Sequence, residues 1–341
     1  MKRLLIAVAV LMLASLSAWS QVKEIKLATI APAGSSWDKI TNRMNDELKA
    51  KSGGKLAFKI YPGGTQGDEK DVVRKMRIKQ IHAGGFTGNG LGQIAPQVRV
   101  LELPFLYANA DQVDYVISNM TQPMEDFLSK GNPPVILLGW AEAGFVYIYS
   151  NKPIQKLSDL SGTKIWQWEG DPLASATFST LGVAPVPLAI TDVMTALSTN
   201  MIEAVYAPPL GALALQWASK VKYLTDLPIV NSMGALVMLR SEFDKLTSAE
   251  QKTLREVTAK YSREIVTETR KDNALALEQI KKLGVRIVSV DPKERELIEQ
   301  TAKKVWADQV GKLYSADQLS AVQRLVAEAQ AKGHSAAAQL H

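Results

Sequence analysis

Residues 151–168 read NKPIQKLSDLSGTKIWQW, and residues 181–209 read LGVAPVPLAITDVMTALSTNMIEAVYAPP. Each run holds a strand-like segment ending in aromatic residues, Lys164–Trp168 and Ala204–Tyr206, and helical patterns join the two. Strands that alternate with helices lie parallel, and such sheets hold ligands beyond the carboxyl ends of their strands. The stretch therefore reads as one wall of a ligand cleft. Trp166 and Trp168 are two residues apart, so their rings share one face, while Gln167 points the opposite way. Either the tryptophan pair or Gln167 meets the cleft.

The alternation continues on both sides. Residues 24–30, 56–61 and 83–87 read as strands, separated by helices over 36–51 and 68–81. The cleft-facing ends of that set are Ala31–Trp37, Pro62–Gln66 and Phe86–Asn89. Val135–Ala143 and Phe145–Ser150 read as two strands crossing between domains, and Ile229–Leu239 as a long strand returning to the first. Ser248–Leu283 is a run of 36 residues without Gly or Pro. As one helix it is roughly 54 Å long and braces both domains; otherwise it breaks near Lys271-Asp272-Asn273. The expectation is an α/β fold of two domains with a cleft between them and a long bracing helix. Domain I takes residues 21–143 plus about 229–341, and domain II takes 144–228.

Residues 1–20 have the pattern of an export signal. Lys2 and Arg3 precede an apolar run, Leu4–Ala14, and Ala18-Trp19-Ser20 offers small residues for cleavage after Ser20. The run is shorter than the about 20 residues a membrane span needs. The chain has no Cys, which removes disulfides, thiol catalysis, thiolate metal sites and a cysteine lipid anchor. Net charge is +6, or +4 without Lys2 and Arg3, and the basic residues are scattered among acids. That is a solvated surface, not a nucleic-acid face. The mature protein is expected in the periplasm, as a monomer that is not membrane-embedded.

Catalytic signatures are missing. The three histidines are His82, His334 and His341, without metal spacing, and no G-x-S-x-G occurs. The run Gly88-Asn89-Gly90-Leu91-Gly92 lacks the Lys-Ser/Thr of a phosphate loop and reads as a tight turn after a strand. No cofactor or metal is expected. Glu169 and Asp171 form an acid pair, but Asp171 precedes Pro172 and a helix, where an N-cap role suffices. Glu142 sits in an apolar strand and faces either the cleft or an exposed edge. The candidate ligand-binding set collects strand ends and turns: Ser36, Trp37, Thr87, Asn89, Trp140, Glu142, Trp166, Trp168, Tyr206 and Pro208.

KLATIAPAGSSW at 26–37, FKIYPGGTQGDEKDVVRKM at 58–76, LELPFLY at 101–107, SNKPIQKLSDLSGTKI at 150–165 and LGVAPVPLAITDVMTAL at 181–197 together resemble the solute-binding proteins of tripartite ATP-independent periplasmic (TRAP) transporters, the DctP type. The resemblance covers essentially the whole mature chain. It implies two α/β domains that close on a small organic acid, a long helix bracing both, and docking onto membrane permease subunits. The family usually carries an Arg after the Lys-Ile that follows Asp-Leu-x-Gly, to pair with the ligand carboxylate; here that position is Trp166. Many members carry another Arg in the strand before Ser-Asn-Lys-Pro, and Gly144–Tyr149 has none. The Glu-Asn often found before the later Pro is Tyr206-Ala207.

A desolvated carboxylate without a cation is costly. The cleft is therefore expected to favour a solute with more apolar or aromatic surface than a simple dicarboxylate. An acid group would be met by backbone N–H groups, by hydroxyls such as Ser35, Ser36 and Thr87, by a cation elsewhere, or by a bridging metal ion. Two other function classes stay open: a periplasmic enzyme using Glu142, Glu169 or Asp171, and a ligand-binding sensor subunit.

Overall fold

The computed structural model describes residues 22–338. The expected cleavage site after Ser20 lies outside the described residues. The chain begins β1 (Lys23–Thr29), α1 (Ser36–Lys51), β2 (Leu56–Tyr61), α2 (Glu69–Arg77), β3 (Ala83–Thr87), α3 (Gly88–Ile94) and α4 (Ala110–Ser129). β4 (Val135–Ser150) leads into β5 (Trp166–Trp168), α5 (Pro172–Thr180), β6 (Val186–Leu188), α6 (Val193–Ser198), β7 (Ala204–Ala207), α7 (Pro209–Ala214) and β8 (Tyr223–Thr225). The remainder is β9 (Val230–Leu239), α8 (Arg240–Phe243), α9 (Ser248–Lys282), β10 (Arg286–Val288), α10 (Pro292–Asp308) and α11 (Ala316–Ala338).

β1 pairs in parallel with β2 and β3, and β9 joins antiparallel between β3 and β4. Period-two alternation feeds a helical layer on each face of this sheet. Leu137 and Val237 pack with Val72, Met76 and Leu101 on one side. Leu138 and Met238 pack with Met44, Leu48 and Leu254 on the other. The second domain repeats the device. Ile148, Ile165 and Ala204 join Phe178 and Val183, while their neighbours Tyr149, Trp166 and Val205 join Trp217 and Leu224.

The two strands expected over 135–150 are one continuous strand that serves both domains. Its first part pairs with β9 and its last residues with β7 and β8. Register shifts fall between Leu137 and Gly139 and between Glu142 and Gly144. Gly144 has φ +111, and a Cβ there would stand 2.4 Å from Asn273 Nδ2. A bulge with a glycine in the left-handed region bends the strand without ending it. β10 pairs with β8, away from the first-domain set in which residues beyond 229 were expected.

α9 is a single helix of 35 residues, roughly 52 Å long. Thr247 and Glu250 form a reciprocal capping box at its start. Leu254, Val257 and Tyr261 enter the first-domain core, and Ile280 enters the second. Of the two alternatives, the continuous helix is the one observed, and the break near Lys271-Asp272-Asn273 does not occur. Asn273 Nδ2 donates to Ala143 O at 2.9 Å, and its Oδ1 accepts the Leu210 N–H at 2.9 Å.

Gly144→Ala therefore meets both an unfavourable φ and a blocked Cβ site. It is expected to cost about 1–3 kcal/mol in urea unfolding, whereas Gly162→Ala, strained in φ but unobstructed, is expected to cost less.

Candidate functional site

A cavity of about 300 Å³ lies between the domains, at the carboxyl ends of β1, β3, β5 and β7. The first domain supplies Trp37, Phe86, Phe105 and Met233, and the second supplies Trp166, Trp168, Phe178 and Tyr206. Trp166 is 1% exposed; its Nε1 donates to Leu188 O at 3.0 Å. Its ring stacks on Tyr206 at 4.8 Å and meets Trp217 edge-on at 5.2 Å. Trp168 lies 5.7 Å from Trp166 on the same face, and its backbone N–H donates to the Tyr206 hydroxyl at 3.1 Å. The second-domain wall is thus a packed slab of rings rather than a set of mobile side chains.

Among the described residues that line the cavity, Arg99 is the sole lysine or arginine. It is buried between two carboxylates. Nη1 donates to Glu102, and Nη2 donates to Asp171 Oδ1 and Oδ2 at 3.0 and 2.8 Å. Nε has no partner. Glu102 belongs to the first domain, where its other oxygen accepts the Met233 N–H at 2.9 Å. Asp171 belongs to the second, where it caps α5 through Leu173 and Ala174. Burial pushes the Glu102 carboxyl above its usual range, and the guanidinium pulls it back.

Helix α3 makes room for these groups. Its glycines were expected to form a tight turn; instead Thr87 caps a helix there, and each glycine clears a side chain. A Cβ on Gly88 would stand 1.9 Å from Glu102 Oε2, and one on Gly92 would stand 2.7 Å from Arg99 Cδ. A Cβ on Gly90 would meet Phe86 and Glu69. The Glu69 carboxylate accepts the Thr87 N–H at 2.6 Å, the Thr87 hydroxyl at 2.8 Å and the Gly90 N–H at 2.7 Å. Burial still pushes its pKa up to about 8.

Trp37, Thr87, Asn89, Glu142, Trp166, Trp168, Tyr206 and Pro208 border the cavity. Trp140 does not: its ring packs on the first-domain core and its Nε1 donates to Thr121 at 2.9 Å. Ser36 is the first residue of α1 and does not reach the wall. The hydroxyls expected to meet an anion are committed, Ser35 to capping α1 and Thr87 to Glu69. Glu142 faces inward but is held by Asn231 Nδ2 and Arg270 Nε, both at 2.8 Å. Gln167 turns from the cavity towards Asp171 O. Glu169 takes Lys70 at the rim at 2.6 Å. The three acids considered for catalysis are thus all engaged in ion pairs. No group of three metal-ligating residues occurs among the described residues.

Arg99, Glu102, Phe105, Asp68 and Glu69 were missed. The signal for the first two was present: two charges spaced i,i+3 inside the apolar run Val98–Tyr107.

Residues 27–313 match the family model for bacterial extracellular solute-binding protein, family 7 (DctP). The chain is a family 7 solute-binding protein. It is 25% identical over 284 residues to a solute-binding protein of Roseobacter denitrificans, covering 82% of this chain and 85% of that one. Its fold is that of the sugar acid binding protein DctPAm from Advenella mimigardefordensis, solved with galactonate (TM-score 0.85, 21% identity, 90% of this chain and 99% of that one). A TRAP periplasmic solute binding protein from Ralstonia eutropha, solved with (S)-2-acetolactate, is similar too (TM-score 0.83, 21% identity, 89% and 99%). No described helix of this family 7 protein is long and apolar enough to cross a membrane.

Two outcomes follow for the family 7 site. Arg99→Met strands two buried carboxylates and is expected to cost about 3–5 kcal/mol in urea unfolding. Glu69 holds in the folded state a proton that the unfolded chain releases, so its contribution to stability falls as pH rises from 4.5 towards about 8. Urea midpoints measured at pH 5 and pH 8 should therefore drop more in wild type than in Glu69→Gln.

Proposed function

We propose that this family 7 protein is the exported subunit of a TRAP-type transporter that captures a small organic acid with an apolar or ring-bearing body in the periplasm and passes it to membrane permease subunits. The observation that carries the reading is the cavity's chemistry: a slab of aromatic rings and one guanidinium whose terminal nitrogens are already taken. The Arg99 Nε–H has no partner but is buried beside Gly92, so an acid oxygen reaches it when the Arg99 side chain shifts on binding. A second carboxylate would have no cation, and Glu102 and Asp171 would repel it. The relatives solved with galactonate and 2-acetolactate support an acid as cargo. The ring wall favours a less hydroxylated acid than galactonate, because the many hydroxyls of a sugar acid need partners that rings do not offer.

The domains divide in this reading at Gly144, with 21–143 plus about 229–341 on one side and 144–228 on the other, except that β10 and the end of α9 pack with the second. Closure brings the ring slab against Trp37, Phe86 and Phe105, so binding energy is realised in the closed form alone. The binding set is Trp37, Thr87, Asn89, Glu142, Trp166, Trp168, Tyr206 and Pro208, with Arg99 and Phe105 added.

Thermal unfolding tests the ligand class. Phenylacetate at about a hundredfold excess over its Kd is expected to stabilise by about 2.7 kcal/mol and raise Tm by roughly 4 °C. Succinate and malate are expected to leave Tm unchanged. A large shift with either dicarboxylate and none with phenylacetate overturns the reading.

A further inference from the structure

Four consecutive residues of the second domain, Trp168-Glu169-Gly170-Asp171, each bond to the first domain. Trp168 Nε1 donates to Asp68 Oδ2 and Oδ1 at 2.9 and 3.0 Å. Lys70 Nζ donates to Glu169 at 2.6 Å, Gln93 Nε2 donates to Gly170 O at 3.0 Å, and Arg99 takes Asp171. Asp68 also accepts the Ile190 N–H of the second domain at 3.0 Å and the Glu69 N–H of its own at 2.6 Å. It is the N-cap of α2, and 2% exposed.

These links are unequal. Lys70 and Glu169 are a half-exposed pair at the rim, a kind worth little. Gln93 to Gly170 is exposed and neutral at both ends. Arg99 keeps Glu102 as a partner within its own domain whether or not Asp171 is near. Trp168 to Asp68 is buried and charge-assisted; when the domains part the indole N–H loses its partner and Asp68 keeps only the Glu69 N–H. Trp168 alone among the four also presents a ring to the cavity beside Trp166.

We propose that Trp168 couples cargo to closure: its ring is part of the cavity wall, and its indole N–H clasps Asp68 across the domains. Resting on the proposed function, this makes Trp168–Asp68 the positioning pair of the closed state. Trp166 packs one side of the Trp168 indole. A solute in the cavity packs the other and holds the rotamer in which the N–H reaches Asp68. Trp168 is 8% exposed without a solute, so what an empty cavity lacks is the solute's added contact, and the clasp forms less often. The solute thus touches the closed form more than the open one, the condition for any ligand to shift such an equilibrium.

The test uses the full mature chain, which has no cysteine of its own. Nitroxides on Lys55→Cys in the first domain and Ser198→Cys in the second report the open and closed populations by pulsed electron resonance, with and without phenylacetate. Trp168→Phe keeps the ring and loses the N–H, and Asp68→Asn keeps the shape and loses the charge. Both are expected to lower the closed-to-open ratio about tenfold, the loss of one hydrogen bond to a charged group. Lys70→Met is expected to stay within about twofold of wild type. Equal ratios in wild type, Trp168→Phe and Asp68→Asn overturn the clasp. If phenylacetate moves no distance in wild type, the ligand reading fails instead, and the clasp is judged on the unliganded populations, where the same tenfold ordering is expected.

Discussion

A guanidinium buried between two carboxylates, one from each domain, is the charged centre of this cleft. Arg99 spends Nη1 on Glu102 and Nη2 on Asp171, and Nε is its one nitrogen without a partner. Burying a further anion beside two carboxylates is costly. The same triad ties the domains together.

The rest of the local structure accommodates that triad. Glu102 and Arg99 pass over α3, and only glycine at 88 and 92 lets them approach so closely. Glu69 fills the groove beside Gly90 and fixes Thr87 at the end of β3. On the opposite side the wall is built differently. Ile165 and Ala204 hold β5 and β7 against one core while Trp166 and Val205 face the other. The aromatic slab is therefore rigid, and shape selection falls to rings held in place by their neighbours.

Much of this was legible from residue pattern. The βα alternation located the strand ends, and the aromatic endings at Trp168 and Tyr206 marked one wall. The resemblance to TRAP solute-binding proteins agrees with the family match over 27–313. What was not legible depends on distance in space. Trp140 has the same local setting as a cleft tryptophan, yet its N–H finds Thr121 on a helix 19 residues earlier. Arg99 gains its role from Asp171, 72 residues away. The glycines of α3 looked like a turn because the side chains that require them lie on other segments. Period and composition report which face a residue takes, not which distant group will occupy it.

Native mass spectrometry of the protein purified from its own source tests the central claim most directly. One carried solute per chain is expected, with the mass of a monocarboxylic acid bearing a ring or branched apolar body. A carried dicarboxylate, or a polyhydroxylated acid such as galactonate, would contradict it.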